Sequence, residues 1–108
     1  MSHCIRYNTV YFDFYSEAED HCRLAGSVID RGDEMAIVVS EGDDAPYSLT
    51  GIAREHWFEG ANTTPDRQWE TFARWARLDG IYIGQWIEDG YEYLFSFRLI
   101  NGIKVDID

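Results

Sequence analysis

The sequence predicts an α+β domain spanning residues 1–108: a mostly antiparallel sheet of five to six strands with two helices packed on one face. Three observations predict it. Apolar residues alternate with period two near the N-terminus and through the last third. Two other windows carry apolar residues at helical spacing behind good N-caps. Strands and helices then mix without regular βαβ repetition, in the order β-α-β-β-α-β-β-β, which favours antiparallel pairing.

Residues 5–15 read as a strand, with Val10, Phe12 and Phe14 on its core face. Tyr7, Thr9, Tyr11, Asp13 and Tyr15 fall on the other face. Ser16 with Glu19 makes a capping box for the first helix. Ala18, Cys22, Ala25 and Ile29 form its stripe, widened by Leu24 and Val28, and Gly32 ends it. Cys22 is thereby expected on the buried face.

Met35–Ser40 is a continuous apolar run suited to a central strand covered on both faces. Residues 41–46 are a loop by their turn residues, 47–53 another strand, and 54–64 irregular. Thr64, Pro65 and Asp66 open the second helix. Trp69, Phe72, Ala73 and Ala76 form its inner stripe, and Asp79-Gly80 ends it.

Ile81–Glu88 turns at Asp89-Gly90 into Tyr91–Leu99, a two-residue hairpin pairing Trp86 with Tyr93 and Tyr82 with Phe97. A three-residue loop, 100–102, keeps the next apolar face intact. It pairs Leu99 with Ile103, Phe97 with Val105 and Phe95 with Ile107, and requires Gly102 in the left-handed region. Tyr82, Trp86, Tyr93, Phe95 and Phe97 then form an aromatic core face under the helices.

Composition narrows the function. Twenty acids oppose nine bases, a net charge of −11. Such a chain lacks the cations that displace counterions from nucleic acid, and it is repelled by an anionic membrane surface. It favours a basic partner. Aromatics make up 16% of residues, more than a minimal core needs, so some are expected as surface anchors. The N-terminus MSHCIRYNTV has no apolar h-region, and no apolar run reaches membrane-span length. A cytoplasmic protein is expected, with Cys4 and Cys22 as free thiols.

The chemistry-bearing motifs are weak. His3-Cys4 and His21-Cys22 lack the spacing of zinc sites, so no metal and no cofactor is expected. Glu55-His56-Trp57-Phe58-Glu59 lacks the second His of a zincin helix. The acids around Asp43-Asp44 lack calcium-loop spacing. No Ser, Cys or Thr sits in a nucleophile motif, so no enzyme is expected. Arg31-Gly32-Asp33 reads as a helix terminus. The candidate contact residues are Tyr7, Tyr11, Asp13 and Tyr15 on one strand face, with Asp33, Glu34, Glu41, Asp43 and Asp44 around the central strand. Tyrosines there would bury area while carboxylates steer encounter.

A small, acidic, aromatic-rich domain without catalytic motifs resembles phage-encoded inhibitors of host defence, the anti-CRISPR proteins and other nucleic-acid mimics. The resemblance lies in size, charge and lack of motifs, and covers no specific residue. It implies a non-catalytic inhibitor occupying the nucleic-acid-binding surface of a basic protein or ribonucleoprotein target. An immunity protein or antitoxin neutralising a basic nuclease toxin is the alternative with the same chemistry. A small enzyme or ligand-binding domain is the third, with Tyr82, Trp86, Tyr93 and His56 lining a pocket between sheet and helices.

Overall fold

A computed structural model describes residues 2–17, 21–40, 47–62 and 71–107. These form nine strands: β1 (Ser2–Tyr15), β2 (Cys22–Asp30), β3 (Glu34–Ser40), β4 (Tyr47–Ala53), β5 (Phe58–Asn62), β6 (Thr71–Leu78), β7 (Ile81–Glu88), β8 (Tyr91–Phe97) and β9 (Ile103–Ile107). Each of β1 to β7 pairs antiparallel with the next, and β8 pairs back onto β1. The result is a closed eight-stranded up-and-down barrel, all β, with no helix among the described residues. Accordingly, no described helix is long and apolar enough to cross a membrane.

The α+β expectation is therefore corrected at both helices. Residues 22–30 of the first are strand β2, and residues 71–78 of the second are strand β6. The remaining parts, 18–20 and 64–70, lie outside the described residues. Both windows carry two periods at once. Cys22, Leu24, Gly26 and Val28 alternate as well as the helical stripe repeats, and so do Thr71, Ala73 and Trp75. The barrel decides between the periods, because β2 and β6 each gain a hydrogen-bonded neighbour on both edges. Gly26 also costs a helix interior about 1 kcal/mol relative to alanine. Residues 58–62, expected to be irregular, form β5. Asp79-Gly80 is a hairpin turn like Asp89-Gly90: both aspartates and both glycines have positive φ, 54° and 82° at the first, 49° and 82° at the second.

The β7–β8 hairpin has the expected register, with Trp86 opposite Tyr93 and Tyr82 opposite Phe97. The expected β8–β9 hairpin does not form. Both strands pair with β1: Phe97 faces Phe12 and Ile103 faces Arg6, six residues farther along each chain. The strand β9 thus continues the line of β8, which pairs the outer half of the long β1 and leaves β8 free to close the barrel. Asn101, at φ 59°, takes the left-handed conformation expected of Gly102. Gly102 is needed for space, since a Cβ there would lie 2.5 Å from Ile5 Cγ2 and 2.7 Å from Tyr7 Cε1.

The inner face is one packed core. Val10, Phe12 and Phe14 of β1 meet Met35, Ile37 and Val39 of β3, Leu49 of β4, Trp75, Trp86, Phe95 and Phe97. An eight-stranded barrel is just narrow enough for side chains to fill. Aromatic rings do most of the filling: Phe12 lies 5.1 Å from Phe97, and Phe97 stacks on Tyr82 at 5.1 Å. Trp75 Nε1 donates to Met35 Sδ at 3.2 Å. On β3 only alternate residues are fully buried, so that strand is covered by the core on one face rather than on both.

Inward-facing glycines let the sheet curl. A Cβ on Gly60 would fall 1.7 Å from the Thr50 carbonyl oxygen, and one on Gly51 would meet the Trp75 ring at 2.4 Å. Neighbouring strands therefore approach where side chains would otherwise stand.

Candidate functional site

A β-bulge sorts the tyrosines of β1. Tyr7 faces Val28 and Val10 faces Gly26, so Asn8 and Thr9 together oppose Ser27. The extra residue shifts the alternation by one. Tyr7 turns to the inner side, half-buried against the core, while Tyr11, Asp13 and Tyr15 stay outside. Of the expected tyrosine face, Tyr11 and Tyr15 remain as exposed anchors, at 55% and 44% exposure.

On the neighbouring strand edge stand two residues the sequence placed on a helix, His21 and Arg23. Arg23 faces Asp13 in the ladder and donates to it from Nε at 2.8 Å and Nη2 at 3.3 Å. His21 Nε2 lies 2.5 Å from the same carboxylate. Arg23 also sits over the Tyr11 ring, 5.9 Å from its centroid, and His21 stacks on Tyr15 at 5.0 Å. The five side chains form one strip on the outer barrel wall. Its carboxylate is neutralised by its own neighbours, so Asp13 organises the strip rather than presenting a free charge. The alternation of His21, Arg23 and Ala25 against Cys22, Leu24 and Gly26 was the signal that could have placed them.

The Arg23 hydrogen bond holds the Asp13 carboxyl below its ordinary value; partial burial opposes the shift and His21 reinforces it. A lowered folded value means that the pair stabilises the fold above the ordinary range, and that this is lost as pH falls through the lowered value. Carbon-detected NMR titration should place the Asp13 midpoint below 3.8. In Arg23→Ala it should move upward; an unchanged midpoint would show that the ion pair does not form in solution.

Beside this strip runs a shallow groove on the outer wall, lined by Tyr15, Trp57, Arg74, Ile83, Gln85 and Leu94. Leu94 pairs with Tyr15 across β8 and β1 and is 56% exposed. Apolar anchors therefore continue from the tyrosines around the wall.

Of the remaining candidates, the described residues include Asp33 and Glu34. Asp33 lies in the exposed turn between β2 and β3, and Glu34 begins β3 at that end. That turn is closed by the Arg31 amide donating to the Glu34 carbonyl at 2.9 Å and the Gly32 amide to Asp30 Oδ1 at 2.9 Å. Arg31-Gly32-Asp33 is a strand connection and not a helix terminus. Glu41, Asp43 and Asp44 lie outside the described residues, but Ser40, which precedes them, is at the far end of β3, roughly 20 Å from Glu34 at strand rise.

The topology sorts the charge of the connecting segments. One end of the barrel is where β1, β3, β5 and β7 finish and their successors begin. The sequence joining them there, 16–21, 41–46, 63–70 and 89–90, carries nine acids and one base, Arg67. At the other end the segments 31–33, 54–57, 79–80 and 98–102 carry three acids and three arginines. This asymmetry is one of the sequence between strands: of the nine acids, only Glu17 and Asp89 are among the described residues.

His21 and Cys22 point to opposite faces of β2, so they do not chelate one ion together. Among the described residues no three His, Cys, Asp or Glu side chains stand close enough to hold a metal. Cys4 and Cys22 are both free thiols; Cys4 is buried, whereas Cys22, expected on the buried side of a helix, is exposed at the mouth of the barrel. His56 is exposed in the segment joining β4 and β5, away from Trp86 and Tyr93 on the inner wall. No protein-family model and no curated protein matches the chain.

Proposed function

We propose that the chain is a non-catalytic binding protein of the cytoplasm, an inhibitor that lays its acidic barrel end on a basic, nucleic-acid-binding surface of a target complex. What supports this is the net charge of −11 and the unequal division of acids, in the sequence, between the two sets of segments that join the strands. An acidic end steers a basic partner and orients it before contact. Tyr11, Tyr15 and Leu94 supply exposed area for anchoring on the wall nearby. The packed aromatic interior speaks against the ligand pocket at the barrel centre that an enzyme or carrier would use. The two free thiols agree with a reducing compartment.

The test starts with capture from host lysate at low and high salt, followed by binding kinetics with the captured partner. Asp43→Lys with Asp44→Lys should slow association, and more so than Asp33→Lys with Glu34→Lys at the opposite end. Tyr15→Ala should instead speed dissociation, costing about 2 kcal/mol if it is an anchor. Affinity that is flat with salt, with both charge reversals equal, would reduce the charge to a solubility feature.

A further inference from the structure

A cavity of about 130 Å³ lies beside Cys22, at the barrel end where β1 passes into β2. Among the described residues four rings line it: Phe14, Tyr47, Trp86 and Tyr93. They stand as a box rather than a stack. Phe14 meets Trp86 edge-on at 85° and Tyr93 at 88°, and Tyr47 is tilted 51° from Trp86. Glu88 is the one acidic residue lining it among the described residues. Its ladder partner Thr71 is 2% exposed, and its Oγ1 has no hydrogen-bond partner among the described residues.

Several aromatic walls with one carboxylate match an organic cation. The ring quadrupoles attract positive charge, the apolar walls accept its alkyl stem, and the carboxylate supplies the counter-ion. An anion would be repelled by the charge of Glu88, and a neutral apolar group would gain nothing from it.

We propose that the barrel mouth is a cation cage for the ammonium or guanidinium head of a basic side chain. The source of that side chain, a lysine or arginine of the partner, rests on the binding function proposed above; the cage itself does not. Insertion of one such side chain would fix the register of a partner that the acidic end has attracted.

Cys22 reports occupancy, because it lines the cavity and is exposed whereas Cys4 is buried. The probes are the Nα-acetyl methylamides of lysine, arginine and norleucine, the last an apolar control of lysine length. Alkylation of Cys22 by iodoacetamide is followed by mass spectrometry as each is titrated at constant ionic strength. Lysine or arginine analogue should slow alkylation saturably, and norleucine analogue should not. Glu88→Gln, which keeps the shape of the residue, should weaken protection about tenfold, and Tyr93→Leu should weaken it by a similar factor. Both variants are first checked for wild-type thermal unfolding. Equal protection by norleucine, no protection by either cation, or protection unchanged in a folded Glu88→Gln would each overturn the cage. Loss of the cage with salt-dependent partner binding intact would leave the acidic-end proposal standing; the reverse pattern would leave an isolated cation site.

Discussion

Trp75→Ala should cost about 3–5 kcal/mol, the range for deleting a buried large aromatic side chain. Trp75 is 1% exposed and crosses the interior: its ring stacks near Phe58 at 5.9 Å, approaches Phe95 at 6.0 Å edge-on, and covers Gly51. No neighbour can take its place. Gly51 and Gly84, which lie under and opposite it, have no side chains with which to collapse into the void. The change also strips Met35 Sδ of its indole donor. Against a total of about 5–15 kcal/mol for an ordinary domain, this is enough to unfold much of the population near 37 °C. Urea denaturation followed by far-ultraviolet circular dichroism measures it. Tyr91→Ala, at a 65% exposed position, should stay within about 0.5 kcal/mol. Comparable losses at the two positions would mean that the barrel interior is not packed around Trp75.

Gly60→Ala is the second large effect, through the opposite fault. The added methyl would sit 1.7 Å from the Thr50 carbonyl oxygen, 2.5 Å from its carbon and 2.8 Å from Gly51 Cα. All three are backbone atoms of β4, so no rotamer change relieves the contact, and the β4–β5 ladder must open locally. Overpacking of this kind costs about 1–3 kcal/mol, occasionally more, and Gly60 should lie at the upper end. Gly90→Ala is the comparison. It meets nothing within 4 Å, but its φ is 82°, so it should cost only the left-handed penalty of about 1–2 kcal/mol. Hydrogen exchange should separate the two: Gly60→Ala loses amide protection along Leu49–Ala53, whereas Gly90→Ala loses it at the β7–β8 hairpin end. If Gly60→Ala is as stable as wild type, the strands do not approach this closely and the barrel is less tightly curled.

The candidate contact residues divide in a similar way. Their side-chain types were plain in the sequence: tyrosines beside a carboxylate on β1, and an excess of acids. Their partners were not. Asp13 is a free acid in a strand read alone, and becomes the centre of an ion-paired strip once β2 brings Arg23 opposite it. Tyr7 left that face because one extra residue, in the pair Asn8 and Thr9, turned it inward. Nothing local marks a bulge there, since it answers to the pairing of a strand more than fifteen residues away.

By itself, the sequence determined the local elements whose pattern admits one period. The Val10, Phe12, Phe14 alternation, β3, β4 and the Asp89-Gly90 hairpin with its register all follow from side-chain spacing and turn chemistry within a few residues. It also determined the charge. Closure belonged to the tertiary structure. Residues 22–30 and 71–78 carry helical and strand periods together, and local propensity does not choose between them. What chooses is pairing of both backbone edges around a ring, with β8 returning to β1 and β9 continuing beside it, so that no barrel edge is left open. That ring also assigned alternate connections to opposite ends. It also brought Phe14, Tyr47, Trp86 and Tyr93 around one cavity at the end where β1 passes into β2.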